Sequence, residues 1–266
     1  MSSPWLQGAD VAVSLTFDLD ADVGVGWRQL TDRLTSLSEA QYGAERGIAR
    51  LRGVLEERDI AATFFVPGEV AQKHPVLIQE LATQGHEVAH HGYYHLATDK
   101  IRAVEQYDEL MRGIAALEQV CGIRPAGYRS PGWELTPYTL RLLVREGFVY
   151  DSSCMGDDQP YVISDDDVSL LELPVHWSLD DWVFFGFTRD GGGVLQDPEA
   201  LLNTWRREFL SAVDEGRHVT YTMHPEVMGR GYRAHTLAEF IDWMRQTADV
   251  RFVTHKEVAK DLGHAA

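Results

Sequence analysis

Short apolar runs of strand character alternate with amphipathic helical stretches along nearly the whole chain, and no other feature limits the fold so strongly. Residues 11–17 (VAVSLTF) form a mostly apolar run closed by Asp18, which reads as a buried strand. In 44–58, Ile48, Leu51, Val54 and Leu55 recur at helical spacing. Residues 61–66 return to β-branched and aromatic character. Pro75 suits a first helical turn and Gly85 the end of that helix. The pattern then predicts short strands at 86–89 and 126–128, and helices over 102–120 and 136–146. Extended segments follow at 148–150 and 171–173, then a helix over 199–215 and a strand at 218–223. A helix over 236–246 and a strand at 251–253 complete it. This alternation predicts an α/β fold with a mainly parallel sheet, open or closed into a barrel. Right-handed crossovers would place all strand C-termini at one end.

Two stretches break the pattern. Residues 21–43, with Gly24, Gly26 and Trp27, read as a long connection. Residues 156–193 read as irregular, rich in Asp and aromatics, and end in three glycines. Connections of this length serve as lids, binding loops or oligomer contacts. No internal repeat or linker divides the chain, so one domain over 1–266 is expected, with its core at about 11–255.

The net charge of -17 opposes nucleic acid as a partner and attachment to an anionic membrane. No apolar run approaches the roughly 18 residues of a membrane span. Met1–Gly8 shows no basic segment followed by an apolar one, and Cys121 and Cys154 have neither metal nor redox spacing. A cytoplasmic protein is the expectation.

Four polar clusters follow predicted strands: Asp18-Leu19-Asp20, His91-Gly-Tyr-Tyr-His95, Arg129-Ser-Pro-Gly132, and His224 before Pro225. On a barrel they would meet at the strand C-terminal face, where sites of this class are built. His91 and His95, four apart, project from one face of a helix start or tight turn. With Asp20 or Asp18 they make a three-ligand site for Zn²⁺ or another divalent transition metal. In an extended strand Asp18 and Asp20 point the same way, so one can bind metal while the other acts on water. Arg129, fixed by Pro131 and Gly132, can hold a carboxylate ionised. His224 suits proton donation near neutrality, with Asp181 or Asp180 as a partner that raises its pKa. Trp133, Trp177, Trp182, Tyr128 and Tyr161 offer faces on which a sugar or planar ring can stack.

Taken together these motifs resemble the polysaccharide deacetylase superfamily, also called the NodB homology domain or carbohydrate esterase family 4. Thr16-Phe-Asp-Leu-Asp20 is similar to its Thr-Phe-Asp-Asp-Gly motif, His91-Gly-Tyr-Tyr-His95 to His-(Ser/Thr)-x-x-His, Arg129-Ser-Pro131 to Arg-x-Pro, and His224 to its late histidine. The resemblance implies a distorted, incomplete (β/α) barrel. It implies Asp18 as general base, Asp20, His91 and His95 as ligands of one divalent metal, Zn²⁺ first, Arg129 orienting Asp18, and His224 as general acid. Trp133, Tyr128, Trp182 and Asp181 would line the substrate pocket. The implied function is metal-dependent hydrolysis of a non-peptide C–N bond, removing N-acetyl groups from a saccharide. Leu19 between the aspartates, Gly92 in place of Ser or Thr, and the long first connection resemble a branch that includes cyclic imide hydrolases and allantoinase-like enzymes. Ring opening of a cyclic imide or ureide is therefore the alternative, and a catalytically silent binding protein the third reading. That branch also implies a homo-oligomer, a tetramer.

Overall fold

The computed structural model describes residues 3–23, 33–187 and 191–264. Its centre is β1 (Val11–Asp18), buried at every position. A strand with no exposed residue must be covered on both faces, and that puts it inside a parallel sheet. β1 pairs in parallel with β8 (His218–Met223) along one side. Its end, Thr16–Asp18, pairs with β2 (Thr63–Val66) and its start, Val11–Val13, with β9 (Val250–Phe252). From β2 the sheet runs through β3 (Glu87–His90), β4 (Gly127–Tyr128) and β5 (Tyr150–Asp151) to β7 (Val168–Glu172) and β6 (Tyr161–Asp165). All these pairings are parallel except the β6–β7 hairpin. The sheet curls into an incomplete barrel of the expected kind.

Helices cover it through their apolar stripes. Ala103–Cys121 buries Leu110, Ile114 and Leu117 and stops at Gly122, whose φ of 72° suits a residue without Cβ. Pro198–Glu215 is capped by the Asp197 side chain and buries Trp205 and Phe209. Phe17, Phe64, Trp205, Tyr221 and Phe240 share the main core, as fully buried residues.

The two stretches expected to be irregular hold structure. Within 21–43 a helix forms at Leu34–Tyr42 and runs through a π-turn, Gly43–Gly47, into the helix Ile48–Glu56. Ala40 alone is buried in its first nine residues, and Leu34 at helical spacing from it is exposed. A Cβ on Gly47 would stand 2.0 Å from the Pro225 carbonyl oxygen, so this contact requires glycine. Gly24, Gly26 and Trp27 lie outside the described residues. Within 156–193 lie the β6–β7 hairpin and a short helix, Trp182–Phe185. β6 has no buried residue, and its apolar run is only Tyr161–Ile163. The helix expected at 236–246 begins earlier, at Gly231.

Candidate active site

The four clusters meet at the C-terminal ends of β1, β3, β4 and β8. A cavity of about 470 Å³ opens there, lined by Asp18, Asp20, His91, His95, Trp133 and His224 among others.

Asp18 is the last residue of β1 and is buried. Arg129, just past β4, donates from Nη1 to Asp18 Oδ1 at 2.7 Å. The same guanidinium is wholly buried and tied down on every side. Nη1 also reaches Thr16 Oγ1 at 3.0 Å, Nε the Ser152 carbonyl at 2.9 Å and Nη2 the Ser152 hydroxyl at 3.0 Å. Burial by itself would raise the Asp18 pKa, but Arg129, with help from His91 and His224, outweighs it and holds the carboxyl at about 2. Trp133 Nε1 faces the other Asp18 oxygen at 3.4 Å. Trp133 takes a left-handed φ of 61° to do so, an uncommon conformation for a side chain of that size.

Asp20 faces the same cavity, beyond the reach of Arg129 and nearer the histidines. Its Oδ1 lies 3.5 Å from His91 Nε2 and its Oδ2 3.3 Å from His95 Nε2. Asp18 Oδ2 is 3.9 Å from His91 Nε2. Leu19 thus separates two carboxylates with different partners. His91 Nδ1 lies 2.8 Å from the Arg129 carbonyl oxygen. That oxygen can only accept, so Nδ1 carries the proton and Nε2 presents a lone pair. Burial lowers the pKa of both histidines, His95 to about 4, so each is neutral at pH 7. The His91–His95 segment is a turn rather than a helix. His95 reaches its place through a φ of 55°, and Glu109 accepts from the Tyr93 and Tyr94 amides.

A divalent cation fits this set. His91 Nε2 and Asp20 Oδ1 are both buried without a hydrogen-bond partner. One ligand atom from each of Asp20, His91 and His95 lies within 4.8 Å of the others. Neutral imidazoles and a carboxylate are the donors such ions take, and an ion between them would satisfy both orphaned atoms.

His224 stands on the opposite wall, directly after β8. Asp180 forms an isolated parallel bridge to Thr222, which carries Asp181 alongside. Asp181 Oδ1 lies 2.8 Å from His224 Nδ1, and both its oxygens accept from the His224 amide. Asp180 is 3.6 Å away. Burial would depress the His224 pKa, but Asp180 and Asp181 overcome it and raise it well above the usual value. Nδ1 is committed to Asp181, which leaves Nε2 as the nitrogen free to serve the cavity.

Aromatic walls complete the cavity. Trp133 stacks on Trp177 with centroids 4.4 Å apart, and the Trp182 ring meets His224 at 5.4 Å. Tyr128 does not join them. It is buried in a cluster with His90 and Phe148 on the helix side of β4, because alternation along the strand turns it away from the face that Arg129 serves. Tyr161 lies on β6 and accepts from the Gly156 amide, also outside the cavity. Sequence reasoning passed over Glu226. Its carboxyl lines the cavity with Oε2 buried and unpartnered, and burial with nearby Asp20 pushes its pKa up to about 8. Its position two residues beyond His224, in the next helical turn, was the available signal.

Residues 8–150 match the family model for polysaccharide deacetylase, more than half of the chain. The chain belongs to the polysaccharide deacetylase family. A peptidoglycan deacetylase of Helicobacter pylori is 26% identical over 282 residues, covering 94% of this chain and 96% of that protein. A Mycobacterium smegmatis structure assigned to the polysaccharide deacetylases superimposes with a TM-score of 0.89 at 40% identity, covering 96% and 91% of the two chains. The structure of Puue allantoinase has the same fold, with a TM-score of 0.86 at 21% identity and coverage of 98% and 93%. As a polysaccharide deacetylase-like protein the chain is a hydrolase of C–N bonds other than peptide bonds.

Proposed function

We propose that this hydrolase removes N-acetyl groups from a saccharide with the help of one divalent cation, Zn²⁺ first, held by Asp20, His91 and His95. The convergence of two orphaned buried ligand atoms, His91 Nε2 and Asp20 Oδ1, carries the reading. When bound, the cation supplies Lewis acidity toward the scissile carbonyl and toward water. The remaining work falls to the chain. Asp18, ionised by Arg129, takes the proton of the attacking water. A modest base suffices where the water is already acidified. His224, protonated through Asp180 and Asp181, gives its Nε2 proton to the departing amine. Trp133, stacked on Trp177, and Trp182 hold the substrate and keep water out.

Ring opening of a cyclic imide or ureide uses the same attack and the same proton donor. The flat faces of Trp133, Trp177 and Trp182 along the cavity favour a small planar ring for that second reading. One panel separates the two: N-acetylated oligosaccharides, succinimide, dihydrouracil and allantoin, each with Zn²⁺-loaded protein. Acetate release that is lost on chelation and restored by Zn²⁺ supports the deacetylase. Ring opening without acetate release moves the assignment to the second reading, and turnover of none refutes both. We also assign the chain to the cytoplasm and to a homotetramer. No helix of the described residues is long and apolar enough to cross a membrane, and both cysteines are free thiols. Exposed Val183, Phe187, Val194 and Leu195 offer apolar surface for self-association.

A further inference from the structure

A second compartment of about 400 Å³ adjoins the catalytic cavity, and Trp182 and Glu226 line both. Its far wall is the start of the helix Gly231–Thr247, with Arg230, Tyr232 and Arg233 among the lining residues. Arg233 is 7% exposed. Nε donates to the Tyr232 hydroxyl at 2.8 Å and Nη1 to the Val227 carbonyl at 3.1 Å. The guanidinium lies over the Phe185 ring, 4.3 Å from its centroid.

Among the described residues no carboxylate forms an ion pair with Arg233. Asp181 feels its charge, but both Asp181 oxygens are spent on His224. Glu39 faces Arg230 at 3.9 Å. A buried guanidinium without a counter-ion is costly, and charges of this kind are normally paired. Nη2 makes no hydrogen bond to the described residues. The adjoining helix start has no side-chain cap, so its first amides are also left for an acceptor. Arg233 and the helix start thus face a compartment that shares Trp182 and Glu226 with the catalytic cavity, and its other acidic lining residue, Glu39, is turned to Arg230.

We propose that this compartment binds a carboxylate carried by the substrate, with Arg233 as its anchor, so that the hydrolase prefers acid-bearing amides. The proposal rests on the reading of the neighbouring cavity as the site of C–N hydrolysis. A charge-assisted contact from a desolvated guanidinium favours the acid-bearing ligand by about tenfold or more.

Calorimetric titration of the Zn²⁺-loaded protein with three probes tests it: N-acetylmuramic acid, its methyl ester and N-acetylglucosamine. The expected result is tighter binding of the free acid than of the ester or of N-acetylglucosamine. Arg233→Gln should erase that preference and leave N-acetylglucosamine affinity unchanged, while Arg233→Lys retains part of it. Were Arg233 only a distant balance for Asp181, Arg233→Gln would slow turnover of every substrate and leave the acid–ester difference intact. Equal binding of acid and ester, binding of neither, or a preference that survives Arg233→Gln overturns the proposal. If Arg233→Gln does not fold, the acid–ester comparison in the unmutated protein decides. Preference without turnover of any sugar would sustain the anion site and reject the deacetylase reading, while turnover without preference would do the reverse.

Discussion

Replacing Arg129 by Met separates its structural work from its chemical work. The guanidinium is fully buried, makes four hydrogen bonds, and neutralises Asp18 from 2.7 Å. Met fills much of the same volume but leaves Asp18 as an uncompensated buried charge. Breaking a buried pair from one side costs about 3–5 kcal/mol. The pair also has a pH signature. Asp18 is depressed to about 2 from an ordinary 3.8, which corresponds to about 2 kcal/mol. That stability is present above the unfolded value and is lost as pH falls through the folded one, so the wild type should weaken between about pH 4 and pH 2. In Arg129→Met only His91 and His224 are left to oppose burial, the Asp18 pKa rises, and protonation relieves the penalty. The stability gap between variant and wild type should therefore narrow as pH falls from 7 toward 4. The double variant Arg129→Met/Asp18→Asn should regain most of the lost stability while remaining inactive. Urea denaturation at several pH values, with a double-mutant cycle, measures all of this. A loss below about 1 kcal/mol in Arg129→Met, or a double variant no more stable than the single one, would refute the reasoning.

Loss of a cation ligand should show in composition before it shows in rate. His91→Ala should weaken Zn²⁺ by more than the roughly 10–100-fold typical of losing an outer partner, read by metal analysis after dialysis. Asp181→Asn removes one of the three carboxylates that raise the His224 pKa, so the alkaline limb of kcat/KM should move to lower pH, with an unmoved limb rejecting His224 as the acid. His224→Ala should cost about 10²–10⁴ in kcat while Zn²⁺ content stays at the wild-type level. Gly47→Ala forces a Cβ against the Pro225 carbonyl and should lower stability by about 1–3 kcal/mol; thermal unfolding unchanged from wild type would mean that the π-turn can shift freely.

Local signals carried the sequence reading far. The run before Asp18 is mostly apolar, with Val11, Val13, Leu15 and Phe17 on one face and the small residues Ala12, Ser14 and Thr16 on the other, so a buried strand was legible in it. The strand–helix alternation then gave the barrel and put Asp18, His91, Arg129 and His224 on one end. Residues in short patterns escaped: the helix Leu34–Tyr42 offers only Leu34, Leu37 and Ala40 at helical spacing, and the apolar run of β6 ends after Tyr161, Val162 and Ile163. Tyr128 was misjudged because a strand of two residues does not announce which face each side chain takes.

What tertiary structure alone decided was direction and company. The sequence held two aspartates that could exchange roles. Packing turned Asp18 toward Arg129, more than a hundred positions away, and Asp20 toward His91 and His95. It placed Asp181 rather than Asp180 in hydrogen-bond contact with His224. It left Glu226 and Arg233 buried beside the cavity with no ion partner among the described residues. Local sequence fixes which backbone states and which buried faces are favourable, because those depend on neighbours within a few positions. The charge state and hydrogen-bond partner of a side chain depend on which distant segments share its low-dielectric surroundings, and only the assembled barrel determines that.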